Sequence, residues 1–236
     1  MDTSLSGIFR LLRNFWLGDE GLSAFLVLLF FALFLGPFID SLLIRLLTSL
    51  LLSLVMVVGV ITMSQRPEVR FLAGAVAFAA IVLRWLTHMV PTDAIQRWSS
   101  LASLGFMVLL TMGTLFKVFK DDKPVTGHRI MGAIAAYLLF GVTWSILYNL
   151  LDHVLPHAFS VSGGDSGSEL QEKITYFSFV TLTTLGYGDI TPTHDVSRMF
   201  AVMEALVGQL YPATLLARLI SLEVAHRNNN RVGSPP

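Results

Sequence analysis

The nine residues Thr181-Leu182-Thr183-Thr184-Leu185-Gly186-Tyr187-Gly188-Asp189 constrain this chain more than any other stretch. Glycine at alternate positions lets a strand adopt backbone angles that a residue with a Cβ resists. Successive carbonyls can then face one axis. Several copies of such a loop can surround an ion with oxygens that stand in for its hydration water. Gly and Asp are also turn residues, so a surface turn is the competing reading. A short amphipathic segment before the loop, and an apolar segment of bilayer-spanning length on each side of it, decide against that reading.

Composition agrees. Of 236 residues, 54% are apolar and 14% charged, whereas a soluble domain carries about 25% charged residues. Mean hydropathy is +0.68, and the chain reads as an integral membrane protein. Its formal net charge of zero gives no electrostatic case for nucleic-acid binding. The absence of cysteine removes disulfides, thiol nucleophiles and thiolate metal sites together.

A span needs roughly 17–25 apolar residues. The pattern predicts spans near 22–39, 41–63, 71–90, 99–118, 129–154 and 196–224, with Pro37 and Asp40 turning the first into the second. Residues 1–21 read as an N-terminal cytoplasmic or interfacial segment and 225–236 as a short cytoplasmic tail. The tail is too short for a ligand-binding domain. The first apolar run has no cleavage site after it and reads as a retained span. With both termini cytoplasmic, 11 of the 16 basic residues lie inside, against Arg45, Arg84, Arg97, Lys173 and Arg198 elsewhere. That choice places the glycine loop on the outer side.

The string and its flanking spans resemble the tetrameric pore-loop potassium channels, specifically over residues 129–224. The resemblance implies an all-α membrane protein with six transmembrane helices, a re-entrant pore helix and a selectivity filter, assembled as a homotetramer in the cell membrane. It implies an outer helix at 129–154, a pore helix at 169–183, a filter at 184–189 and an inner helix at 196–224. Residues 22–118 then form a four-helix peripheral domain like a voltage sensor, joined by a charged linker at 119–128. Sensing relatives carry arginine or lysine at every third position of the fourth helix. Here that helix is uncharged from Leu101 to Leu110 and meets Lys117 only at its inner end. Little intrinsic voltage dependence is expected.

Carried over residue by residue, the resemblance assigns the K+-coordinating oxygens to Thr184, Leu185, Gly186 and Tyr187, with Gly188 completing the filter and Asp189 at the outer mouth. Tyr187 would brace the loop against the pore helix, and Thr181 and Thr183 would support it. Tyr176 and Phe177 stand where many relatives have paired tryptophans. Phe177 cannot donate a hydrogen bond to Asp189, so a looser tether is expected there. Asp165, Glu169, Glu172 and Asp189 outnumber Lys173 and Arg198 around the mouth, which would concentrate cations. His153 and His157 share a helix face but lack a third ligand, so exposed histidines are a better reading than a metal site. Ser168 and Gln171 suggest a capping box that opens the pore helix.

On the inner helix, Gly208 lies where the family often has a hinge. Pro212 cannot donate to the carbonyl of Gly208, so both weaken one turn. Gln209, Ala213 and Leu216 would line the cavity. Glu204 is a carboxyl in mid-span whose expected partners are Ser178, Thr181 or Thr183. Potassium ions, lipids and identical subunits are the expected partners, and no cofactor or enzymatic role is expected. A poorly selective cation pore and a non-conducting membrane scaffold or sensor are the rival readings.

Overall fold

A computed structural model describes residues 19–34, 42–63, 67–90, 92–120, 127–162 and 168–232. The expected surface segment before residue 19, the Pro37–Asp40 turn, Arg66, the linker residues 121–126, Asp165 and residues 233–236 lie outside the described residues. So do the side chains of Arg45, Arg129, Glu169, Gln171, Glu172, Arg227 and Arg231.

In chain order the elements are α1 (Asp19–Phe34), α2 (Leu42–Met63), α3 (Pro67–Met89), α4 (Asp93–Lys120) and α5 (Gly127–Val154). Then come β1 (Phe159–Val161), α6 (Ser168–Leu182), β2 (Ile190–Pro192) and α7 (Asp195–Val232). Local chemistry sets several starts. Proline at the first position of α3 has no N–H to leave unsatisfied. The Thr92 hydroxyl accepts from the Ile95 amide ahead of α4, and His194 Nδ1 accepts from Val196 N at the start of α7.

Six spans was the expectation, and the described residues correct it. Four helices are long and apolar enough to cross a membrane: Glu68–Met89, Asp93–Phe119, Ile130–Val154 and Asp195–Leu222. Among the described residues the two amino-terminal candidates do not reach that length. α1 is described over 16 residues, about 24 Å of helix at 1.5 Å per residue, against a hydrocarbon core of about 30 Å. The apolar stretch of α2 with described side chains is Leu46–Ile61.

The helices pack in two groups. α1 and α4 pack on one face of α5, and α2 and α3 pack behind them. Phe25 and Leu29 of α1, Val55 and Met56 of α2, Ala77 and Ala80 of α3, and Phe106, Met107 and Leu110 of α4 meet Ala135, Leu139 and Val142 of α5 in one buried core. Interhelical hydrogen bonds supplement it, Ser49 to His88 at 3.0 Å and Thr111 to Thr143 at 3.2 Å. A second core encloses the re-entrant segment. There Tyr148, Phe159 and Phe177 form a mutual edge-to-face cluster with ring centroids 5.1–5.5 Å apart.

Candidate functional site: the loop between α6 and α7

α6 enters between α5 and α7 and ends at Leu182, where the chain doubles back. The amides of Leu185 and Gly186 both reach the Val180 carbonyl, at 2.9 and 3.4 Å, and Thr184 N reaches Thr181 O at 2.9 Å. Helix-end carbonyls that would otherwise lack partners are thereby satisfied by the loop itself. The Thr183 hydroxyl turns back to Phe179 O at 2.6 Å.

The outer end of the loop is pinned by the antiparallel pair β1–β2, which aligns Phe159 with Pro192 and Val161 with Ile190. Ser162 N donates to Asp189 O at 2.8 Å, and Thr193 N to Ala158 O at 3.1 Å. The Thr193 hydroxyl also bonds His157 O. The segment after α5 and the segment after the loop thus hold each other.

Between these anchors the backbone alternates in hand. Thr184, Gly186 and Gly188 have φ of 59°, 59° and 77°, while Leu185 and Tyr187 between them are not left-handed. Alternation of left- and right-handed angles turns successive peptide oxygens to one side of a strand. A Cβ built on Gly186 or Gly188 meets nothing within 4 Å. Glycine is required there by dihedral angle, not by space. Thr184, β-branched and left-handed, is a strained residue of the kind that clusters at functional sites.

Thr184 to Asp189 are exposed in the single chain, Leu185 by 59% and Tyr187 by 67%. Phe177 has no group to donate to Asp189, and Tyr176 supplies a hydrogen bond to it instead. Desolvation first, and that bond second, push the Tyr176 phenol up from its ordinary range. Phe177 is buried in the aromatic cluster. Thr181 is half-buried, and its carbonyl holds Thr184. Among the described residues no group of three or more metal-ligating side chains forms around His153 and His157 or elsewhere.

α7 has two faces. Gln209, Ala213 and Leu216 share the open one with Val202, Leu206 and Ile220. Glu204, Gly208 and Tyr211 form the closed one and are buried against α5 and α6. Gly208 touches the end of the re-entrant helix so closely that a Cβ there would stand 1.8 Å from Leu182 O. The helix continues unbroken through Gly208 and Pro212. In this structure close approach is what excludes a side chain at 208.

Leu182 O also accepts from the Tyr137 hydroxyl at 3.2 Å. Tyr137 stacks on Tyr211, with centroids 6.1 Å apart and planes 17° from parallel, and Tyr211 donates to Ala133 O at 2.9 Å. Glu204 is 0% exposed. The Tyr148 hydroxyl donates to its Oε2 at 2.6 Å, and Ser178 Oγ lies 2.6 Å from its Oε1 and 2.8 Å from Gly141 O. Of the three partners expected for Glu204, Ser178 is the one in contact. Tyr148, Tyr137 and Tyr211 were missed by sequence reasoning, although a tyrosine inside a span always raises the question of where its hydroxyl bonds.

A re-entrant helix and a loop of alternating hand, set between two apolar helices, define a membrane module built to pass ions. Residues 133–224 match the family model described as "Ion channel". Protein LctB of Bacillus caldotenax is 36% identical over 128 residues, 50% of this chain and 93% of that protein. The chain belongs to this ion-channel family. It is a multi-pass membrane protein with a cation-channel-like transport role, and not an enzyme.

Two further relatives are similar over shorter stretches. The human voltage-gated delayed rectifier potassium channel KCNH5 is 39% identical over 70 residues, 29% of this chain and 7% of that protein. The rat voltage-gated delayed rectifier potassium channel KCNH1 is 33% identical over 95 residues, 37% of this chain and 10% of that protein. The family match and the helix lengths correct the expected recognition as a six-span, voltage-gated-like tetrameric channel. The match covers α6 and most of α5 and α7 and leaves the amino-terminal helices unmatched, while four helices among the described residues, not six, have the length and apolarity of spans.

Proposed function

We propose that the chain conducts potassium ions passively and selectively, with copies meeting so that their 184–188 loops ring one axis. The observation that carries this reading is the alternating hand at Thr184, Gly186 and Gly188, since it is the backbone form in which carbonyls can replace an ion's water. The oxygens proposed to coordinate K+ belong to Thr184, Leu185, Gly186 and Tyr187, with Asp189 at the outer mouth. The exposure of Leu185 and Tyr187, and the open apolar face of α7, support burial against neighbouring copies. Gln209, Ala213 and Leu216 on that face would line the inner route.

α4 carries no charge between Trp98 and Phe116, so the reading includes no voltage sensing by that helix. Both termini are placed on the cytoplasmic side, which puts the loop outside.

The test is flux from liposomes holding the purified chain, with the reversal potential measured in mixed sodium and potassium. Potassium-selective flux that Gly186→Ala abolishes supports the reading. A reversal potential indifferent to the two cations favours a poorly selective pore instead. Absence of flux across lipid compositions and pH values favours a membrane scaffold.

A further inference from the structure

The contacts around Glu204 can be tested by counting hydrogens. Three oxygen–oxygen contacts are made there: Tyr148 Oη to Glu204 Oε2 at 2.6 Å, Ser178 Oγ to Glu204 Oε1 at 2.6 Å, and Ser178 Oγ to Gly141 O at 2.8 Å. All three lie in the hydrogen-bond range for O–H···O. Each needs one hydrogen between its oxygens. Tyr148 supplies one and Ser178 one, while an ionised carboxylate and a backbone carbonyl only accept. Two hydrogens cannot fill three contacts.

The missing hydrogen has one position that completes the set. On Oε2 it would be superfluous, because the Tyr148 hydroxyl already fills that contact and Ser178 would still face two acceptors with one hydrogen. On Oε1 it donates to Ser178 Oγ, which frees the serine hydrogen for Gly141 O. We propose that Glu204 is protonated on Oε1, and that this proton makes it a positioning residue locking the inner helix to the re-entrant helix. A neutral carboxyl also suits the site, since the carboxyl is fully buried in mid-span and an ionised form there is costly.

The titratable side chains facing Glu204 are Tyr148 and Tyr137, both from α5. α6 presents Ser178 to it. Among the described residues, no cation is among the groups acting on the carboxyl. One helical turn further on, Gly208 meets Leu182 O. The pairs 178–204 and 182–208 are therefore two consecutive rungs between the same helices, the first held by a proton and the second by backbone contact. Loss of the proton opens the first rung and leaves the second alone to hold the end of α6. This inference concerns the packing behind the loop and stands whether or not the loop selects potassium.

Glutamine reproduces the neutral acid: its amide oxygen accepts from Tyr148 and its amide N–H donates to Ser178. Thermal unfolding of the full chain in lipid nanodiscs is followed from acid to alkaline pH for the wild type, Glu204→Gln and Glu204→Ala. A folded state that keeps a proton the unfolded chain releases loses stability as pH rises above the ordinary glutamate range, about 4.3. The expected result is a wild-type midpoint that falls with pH relative to Glu204→Gln, matches it at acid pH, and lies above Glu204→Ala wherever the proton is held. Parallel pH profiles for the wild type and Glu204→Gln, or a Glu204→Gln as unstable as Glu204→Ala, would overturn the proposal. A second readout does not depend on the variants. Carbon-13 magnetic resonance of the wild-type Glu204 carboxyl at neutral pH is expected to give the neutral-acid shift, and a carboxylate shift there would also overturn it.

Discussion

The two faces of α5 belong to differently built regions. The face with Ala135, Leu139 and Val142 is covered by α1 and α4, themselves backed by α2 and α3, through leucine, valine, alanine, methionine and phenylalanine side chains. The face with Tyr137, Gly141 and Tyr148 meets α6 and α7 through hydroxyls, a carboxyl, aromatic edges and bare backbone. Lipid tails are as apolar as leucine, so the first region gains from shape and close packing more than from exclusion of water. Such an interface tolerates repacking. The second region is defined by contacts with one geometry each, and a loop that must hold its carbonyls in place needs that.

The contrast breaks most sharply at Gly208. Replacement by alanine sets a Cβ against the Leu182 carbonyl on a helix that cannot step aside, and the expected outcome is loss of assembled protein on size-exclusion chromatography together with loss of flux. Next comes Leu139→Ala in the amino-terminal core. It should cost about 2–5 kcal/mol of stability, read from thermal unfolding, while the ion preference of the surviving protein stays unchanged. A changed preference would show that the two regions are not separable. Gly186→Ala should act oppositely. Forcing a side chain into the left-handed region costs only about 1–2 kcal/mol, so the chain stays folded by circular dichroism while potassium flux falls to background. Thr111→Val should be the mildest, because one interhelical hydroxyl contact is worth about 0.6 kcal/mol. A shift of the unfolding midpoint within error would match it.

The loop was legible because its geometry is written in residue type: positive φ at 186 and 188 requires glycine, and the flanking helices are long and apolar. The end of α6 was readable to within a residue, since the threonines and glycines after Leu182 cannot prolong a helix well. The number of spans was not. Apolar content alone counts 22–39 and 41–63 as spans, whereas among the described residues four helices reach spanning length. The polar lock was half legible. A carboxyl in an apolar stretch announces that it needs partners, but Tyr148 lies 56 positions away and no local pattern points to it. Gly208 shows a different limit. Glycine in a helix can serve bending or close approach, and the close approach is visible only once the neighbouring carbonyl is placed.

The two faces of α7 carry a genetic corollary. Under the assembly proposed here, a defect on the row of Leu206, Gln209 and Ala213 is presented to every neighbour, so one altered copy spoils the complexes that include it. A defect on the row of Glu204, Gly208 and Tyr211 is confined to the chain that bears it and withdraws that chain from the pool. Co-expressed with normal chains, the first kind behaves as dominant and the second as recessive.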